Sequence, residues 1–162
     1  MEVKRIVLTV TTDLNFDQRM IRIATTLANA GYDVLLIGRL KPNSKPLQDR
    51  TYRQKRLPVF FQKGPAFYAE YNLRLFFYLL WVRMQVVCAI DLDTILPCYL
   101  VSLLRQKKRV YDAHELFCEM DEIVTRLRVY KVWKAIEKLC VPQFSVGYTI
   151  GEFYANEFQK EY

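Results

Sequence analysis

The chain has 162 residues, 52% of them hydrophobic, and a formal net charge of +7. That is the size of one domain with a core large enough to stand without staples, and the composition excludes a disordered chain. One histidine and four dispersed cysteines (Cys88, Cys98, Cys118, Cys140) offer no zinc-ligand spacing and suit reduced, buried thiols.

Residues 4–10 open the chain as a strand, because Ile6, Val7, Leu8 and Val10 form a near-continuous apolar run of the kind buried on both faces of a sheet. That run is too short for a secretory leader. Asp17 offers a helix cap, and Met20, Ile23, Ala24, Leu27 and Ala30 repeat at helical spacing up to a stop at Gly31. Residues 33–38 read as a second buried strand, so the opening is a βαβ unit and the sheet is expected to be parallel. Residues 39–50 read as a loop, 51–56 as a short edge strand and Lys63-Gly64-Pro65 as a turn. A helix is expected from Ala66 to about Met84, apolar on nearly all sides from Leu75 onward. Its run from Leu75 to Val82 falls far short of the roughly twenty residues of a bilayer span.

Further along, 86–90 is a strand, and Asp93 or Thr94 is placed to cap a helix running to about Arg105 with Pro97 in its first turn. Residues 109–111 form the next strand. A single helical region is expected from Phe117 to Val141, with Val129, Val132, Trp133, Ile136 and Cys140 as its core stripe and Pro142 as its stop. Residues 145–150 are a last strand and 152–162 begin a helix. The alternation is that of a doubly wound α/β domain.

In such a sheet, the residues that follow each strand share the carboxyl edge, where ligands bind. Here they are Thr11-Thr12-Asp13, Gly38-Arg39, Asp91-Leu92-Asp93, Asp112-Ala113-His114-Glu115 and Gly151-Glu152. Carboxylates, hydroxyls and the single histidine converge there, a set suited to hydrogen-bonding sugar hydroxyls. For each acid alone, helix capping is the plainer role; the convergence carries the inference. Arg19 and Arg22 lie in the first two turns of the first helix, where the macrodipole disfavours cations, so an anion should stand nearby: Asp13, Asp17 or a bound phosphate. No GxGxxG or Walker sequence occurs. The Lys/Arg-rich stretch from Arg39 to Lys63 reads as either a solvated loop or a surface for an anionic partner.

Asp17-Gln18-Arg19, the Gly31-Tyr32-Asp33-Val34 step into a strand ending Ile37-Gly38, Asp91-Leu92-Asp93-Thr94, and Val110-Tyr111-Asp112-Ala113-His114-Glu115 together resemble the amino-terminal domain of a GT-B glycosyltransferase. The resemblance is closest to glycosyltransferase family 4, of the bacterial surface-polysaccharide type, and covers nearly the whole chain. It implies a Rossmann-like three-layer domain with a mostly parallel sheet. Residues 1–162 are then the acceptor-side lobe, and the nucleotide-sugar-binding carboxyl-terminal lobe, with its paired glutamates, lies outside them. It implies sugar transfer from a nucleotide-sugar to a glycan or lipid-linked acceptor, with retention of configuration and no catalytic base from the protein. The isolated domain is expected to be inactive.

By position, His114 matches the histidine that lies near the transferred sugar and is the catalytic candidate. Thr12, Asp13, Asn15, Asp91, Asp93, Asp112 and Glu115 are candidate acceptor or sugar contacts, and Arg19 a phosphate contact. The loop from Thr11 to Asn15 lacks the glycines common in relatives. No cofactor, metal or nucleic acid is expected. Two other readings stand beside this one: a nucleotide-sugar 2-epimerase on the same architecture, and a non-catalytic module for polysaccharide or membrane. A cytoplasmic location, peripheral on the membrane, is expected from Arg128, Lys131, Lys134 and Lys138 on one helix face, and from Phe60, Phe61, Phe67 and Tyr68 as contacts for an acyl or prenyl chain.

Overall fold

A computed structural model describes residues 4–162. The described strands are β1 (Arg5–Thr9), β2 (Asp33–Leu40), β3 (Arg53–Pro58), β4 (Val86–Ile90), β5 (Lys108–Ala113) and β6 (Gly147–Thr149), joined in one sheet of order 3-2-1-4-5-6. Every pairing is parallel. The helices are α1 (Gln18–Asn29), α2 (Gly64–Trp81), α3 (Ile95–Leu104), α4 (Asp121–Val124), α5 (Leu127–Cys140) and α6 (Glu152–Glu161).

Two-residue periodicity along the strands sorts the core into two layers. Val7, Leu35, Ile37, Val87, Ala89 and Tyr111 pack under α2, α3 and α5, while Leu8, Leu36, Cys88 and Ile90 face α1 through Met20 and Ala24. The result is a three-layer, Rossmann-like α/β domain. Asp17 caps α1 by accepting from the Met20 N–H at 3.0 Å, and Gly31 ends that turn at φ +87°, a conformation glycine reaches without strain. All four cysteines are buried and free. No helix among the described residues is long and apolar enough to cross a membrane.

Several elements depart from the sequence expectation: β3 lies two residues later than expected, and α2 begins at Gly64, inside the expected turn, and ends at Trp81. β2 continues past Gly38 to Leu40, because Gly38, Arg39 and Leu40 pair with Arg56, Leu57 and Pro58 of the edge strand β3. β5 likewise continues through Asp112 to Ala113, since Ile90 and Thr149 supply partners on either side. Asp112 is thereby a strand residue facing α1. The single helix expected over 117–141 is a 3₁₀ turn (Phe117–Glu119), α4 and α5, with breaks where Met120 takes ψ 137° and Arg126 ψ 83°. The breaks let Phe117, Cys118 and Ile123 all reach the core beside Trp133. Val132, expected in the core stripe, is 59% exposed. β6 is only three residues long, as suits a sheet edge.

Candidate functional site

The strand order reverses between β1 and β4, and at such a switch point the two connecting loops part and leave room for a ligand at the carboxyl edge. The same point is stitched from below. The Thr9 and Thr94 hydroxyls meet at 3.0 Å, and the Thr94 hydroxyl lies 3.0 Å from the Ile90 carbonyl. Neither Thr94 nor Asp93 caps α3 through its side chain; a 3₁₀ turn (Leu92–Thr94) leads into the helix instead. Two residues of α2 hold the loops from above. The Tyr71 hydroxyl donates to the Val10 carbonyl at 2.5 Å, and the Asn72 amide donates to the Asp93 carbonyl at 2.9 Å.

Asp91 is the pivot. It holds φ +57° with ψ 171°, a region essentially reserved for glycine, so its backbone is strained and is kept there by the contacts around it. Its N–H donates to the Asp112 carbonyl at 2.9 Å, and its carboxylate accepts the His114 N–H at 2.9 Å. The β4 and β5 exits are thus locked together, and Asp91, His114 and Glu115 each bring a ligating atom within 4.8 Å of the others. One imidazole and two carboxylates so placed offer nitrogen and oxygen donors to a sugar's hydroxyls, and the same three would suit a divalent cation. Beside them, the Thr11 hydroxyl donates to the Asp93 carboxylate at 2.5 Å.

Burial raises both acids. Asp91 is pushed up to about 6, against the lowering effect of the His114 N–H, and Asp93 to about 7, with the charges of Asp91 and Glu115 adding to the burial.

The other sequence candidates lie elsewhere in the structure. Asp112 is fully buried and ion-paired with Arg19, so the anion that offsets Arg19 at the start of α1 is Asp112, neither Asp13 nor Asp17. Asp13 is buried too. Burial opposes its ionisation, but Ser44, the Asn15 N–H and Arg56 outweigh it and hold its carboxyl below the usual range. Asn15 donates to the Lys45 and Pro46 carbonyls at 3.2 and 2.9 Å. Asp13 and Asn15 therefore fasten residues 44–48 to the β1 loop instead of facing the edge. Thr12 is exposed and donates to Asp17 at 2.7 Å. The structure thus gathers Asp91, Asp93, His114 and Glu115, and uses Asp13, Asn15, Asp112 and Arg19 to hold the surrounding frame.

Sequence reasoning missed Tyr71 and Asn72, whose one signal was polar atoms just before the apolar half of the helix. It also missed the exposed Phe16 in the β1 loop. Of the four aromatics expected to meet an acyl chain, Phe67 is buried and Tyr68 packs edge-on against Trp133, while Phe60 is 84% exposed and Phe61 is exposed beside it. Glu70 fixes that pair by accepting the N–H groups of Phe60 and Phe61 at 2.9 and 3.0 Å. The gathered residues form an open edge. The cavities nearby, of about 480 Å³ between α1 and strands β1, β4, β5 and β6 and about 690 Å³ beside α6, are lined by other residues.

No protein-family model matches the chain, and no curated protein matches it in sequence. Solved structures do match its fold. A sucrose-phosphate synthase from Thermosynechococcus elongatus aligns over 91% of this chain and 47% of its own, with TM-score 0.50 and 17% identity. A protein from Listeria monocytogenes assigned as a UDP-N-acetylglucosamine 2-epimerase aligns over 91% and 39%, with TM-score 0.50 and 12% identity. LpCGTa, solved in complex with UDP, aligns over 69% and 30%, with TM-score 0.50 and 14% identity. These neighbours are GT-B enzymes, and at such identities the likeness establishes the fold. The chain spans less than half the length of each.

Proposed function

We propose that this chain is the acceptor-binding lobe of a glycosyltransferase that moves a sugar from a nucleotide-sugar donor to a glycan or lipid-linked acceptor. The observation that carries the reading is the meeting of Asp91, His114 and Glu115 at the switch point of a sheet shared with sugar-nucleotide enzymes. In this reading His114 and Glu115 orient and stabilise the transferring sugar, and Asp91 holds His114 in place through its backbone. Asp93 and Thr11 line the floor. Transfer then rests on positioning and on stabilising the departing diphosphate's charge. Arg19 uses one side of its guanidinium on Asp112, and its other N–H donors are the ones we assign to that phosphate. Phe60 and Phe61, held outward by Glu70 on the same edge, suit the apolar part of a lipid-linked acceptor. The donor grip belongs to a second lobe, so the 162 residues alone transfer nothing.

The test is transfer itself. A two-lobed protein carrying this chain should pass label from a nucleotide sugar to a saccharide or lipid-linked acceptor, and His114→Ala should remove most of that turnover. Turnover by the chain alone, or unimpaired turnover in His114→Ala, would refute the reading. The likeness to the Listeria protein over 91% of the chain supports a second reading, epimerisation of a nucleotide sugar with the same carboxylates and imidazole handling protons. Solvent deuterium appearing at the inverted carbon, with no acceptor present, would select it.

A further inference from the structure

Helices α2 and α3 pack side by side over the sheet, and each turns large apolar side chains to solvent. On α2, Leu73, Phe77 and Trp81 recur every fourth residue, so they form one stripe, and Trp81 is 87% exposed. α3 adds the exposed Leu100, Leu103 and Leu104. Apolar side chains gathered this way mark an interaction surface.

The charge around the stripe indicates the partner. The one acid on α2 and α3 is Glu70, one turn before Leu73, and its carboxylate is taken up by Arg74 and the Phe60 and Phe61 N–H groups. From Tyr71 to Arg109 the only acids are Asp91 and Asp93, at the carboxyl edge. Lys107 and Lys108 follow the end of α3, and α5, which packs beside α3, exposes Lys131 and Lys138 along with Val132 and Leu139. Hydrocarbon rimmed by cations, with its one neighbouring carboxylate already paired, is complementary to a surface that is anionic outside and apolar within. A second copy fits less well, because a two-fold contact would set the same cations against themselves.

We propose that this face of α2 and α3 seats the protein on an anionic lipid bilayer, with Trp81 at headgroup depth and the α5 lysines against the lipid phosphates. Indoles favour that depth because one end is apolar and the other wet. The surface shares Lys131 and Lys138 with the helix face expected from sequence but is centred on α2 and α3, and Lys134 of that face is committed to ion pairs with Glu137 and Glu161 at 2.7 and 2.6 Å. It also leaves the carboxyl edge uncovered, and it does not depend on the sugar-transfer reading.

Trp81 is its own reporter, since the second indole, Trp133, is only 8% exposed. The chain is mixed with phosphatidylglycerol-containing or purely phosphatidylcholine vesicles, and flotation and tryptophan emission are read together. Expected are flotation and a blue shift with the anionic vesicles, fading as salt rises. Phe77→Glu and Leu104→Glu change solvent-facing residues, so the far-UV spectrum should stay native while partition drops roughly ten- to hundredfold. Lys131→Gln and Lys138→Gln should each weaken it by roughly fivefold. The proposal is overturned by no flotation, by equal flotation with neutral vesicles, or by binding indifferent to Phe77→Glu and Leu104→Glu. A concentration-dependent dimer that Phe77→Glu dissolves, without lipid binding, would give the face to a second copy and overturn it as well. Vesicle binding without sugar transfer leaves this proposal standing, and transfer without vesicle binding removes it alone.

Discussion

Replacing Asp93 by asparagine separates the charge of the site's most buried acid from its shape. The amide keeps an acceptor oxygen for the Thr11 hydroxyl, which donates at 2.5 Å, but cannot ionise. In the folded protein Asp93 is raised from 3.8 to about 7, chiefly by burial. Between those values the folded state keeps a proton that the unfolded chain has released. Stability attributable to Asp93 is therefore intact below about pH 4, falls as pH rises, and levels off above about pH 7. At 1.36 kcal/mol per pH unit, the gap corresponds to about 4 kcal/mol in full and about 2–3 kcal/mol between pH 5 and pH 8. Asp91, raised to about 6 by the same cause, pulls in the same direction, so part of the effect belongs to the pair. The assay is urea denaturation of wild type and Asp93→Asn at pH 5 and pH 8. The variant should gain on wild type by about 2 kcal/mol or more across that interval. Parallel stability curves would refute the reasoning and show that Asp93 is solvated or charge-compensated in solution.

Arg19→Ala strands the fully buried carboxylate of Asp112 and should cost about 3–5 kcal/mol by chemical denaturation. A variant of wild-type stability would mean that the pair does not hold the frame. Gly38→Ala would place a Cβ 2.4 Å from Leu14 Cδ2 and 2.6 Å from the Thr12 carbonyl, and should lose about 1–3 kcal/mol in the same measurement; an unchanged midpoint would contradict the packing described. In steady-state transfer assays, His114→Ala should lower kcat roughly a hundred- to thousandfold with little change in acceptor KM. A change confined to KM would make His114 a binding residue only.

The layer order was legible because each strand and helix carries its own period. Runs such as Val7-Leu8 and Val34-Leu35-Leu36-Ile37 feed both faces of a sheet, and Asp17 and Gly31 punctuate α1 where expected. Strand ends were less legible, because they are set by pairing partners far away in sequence. Asp112 is a strand residue only because Ile90 and Tyr148 flank it, and that moved it from the site to the floor beneath α1. The convergence of Asp91, Asp93, His114 and Glu115 at one edge followed from topology. What held the neighbouring acids did not. Asp13 and Asn15 are drawn to Ser44, Arg56 and the 45–48 backbone, contacts across thirty or more residues that no local pattern announces. Tyr71 and Asn72 were hidden for the same reason, since their partners lie just beyond β1 and β4.

In the proposed function, the switch-point edge is where this chain handles sugar. Backbone amide mapping tests it most directly: ¹⁵N-labelled chain is titrated with a nucleotide sugar and a saccharide acceptor, separately and together. Shifts are expected to centre on the amides of Thr11, Asp91, His114 and Glu115 and to weaken in His114→Ala while the rest of the spectrum is preserved. Shifts confined to the cavity lined by Ile23, Val110 and Tyr148, or no shifts at millimolar ligand, would contradict it.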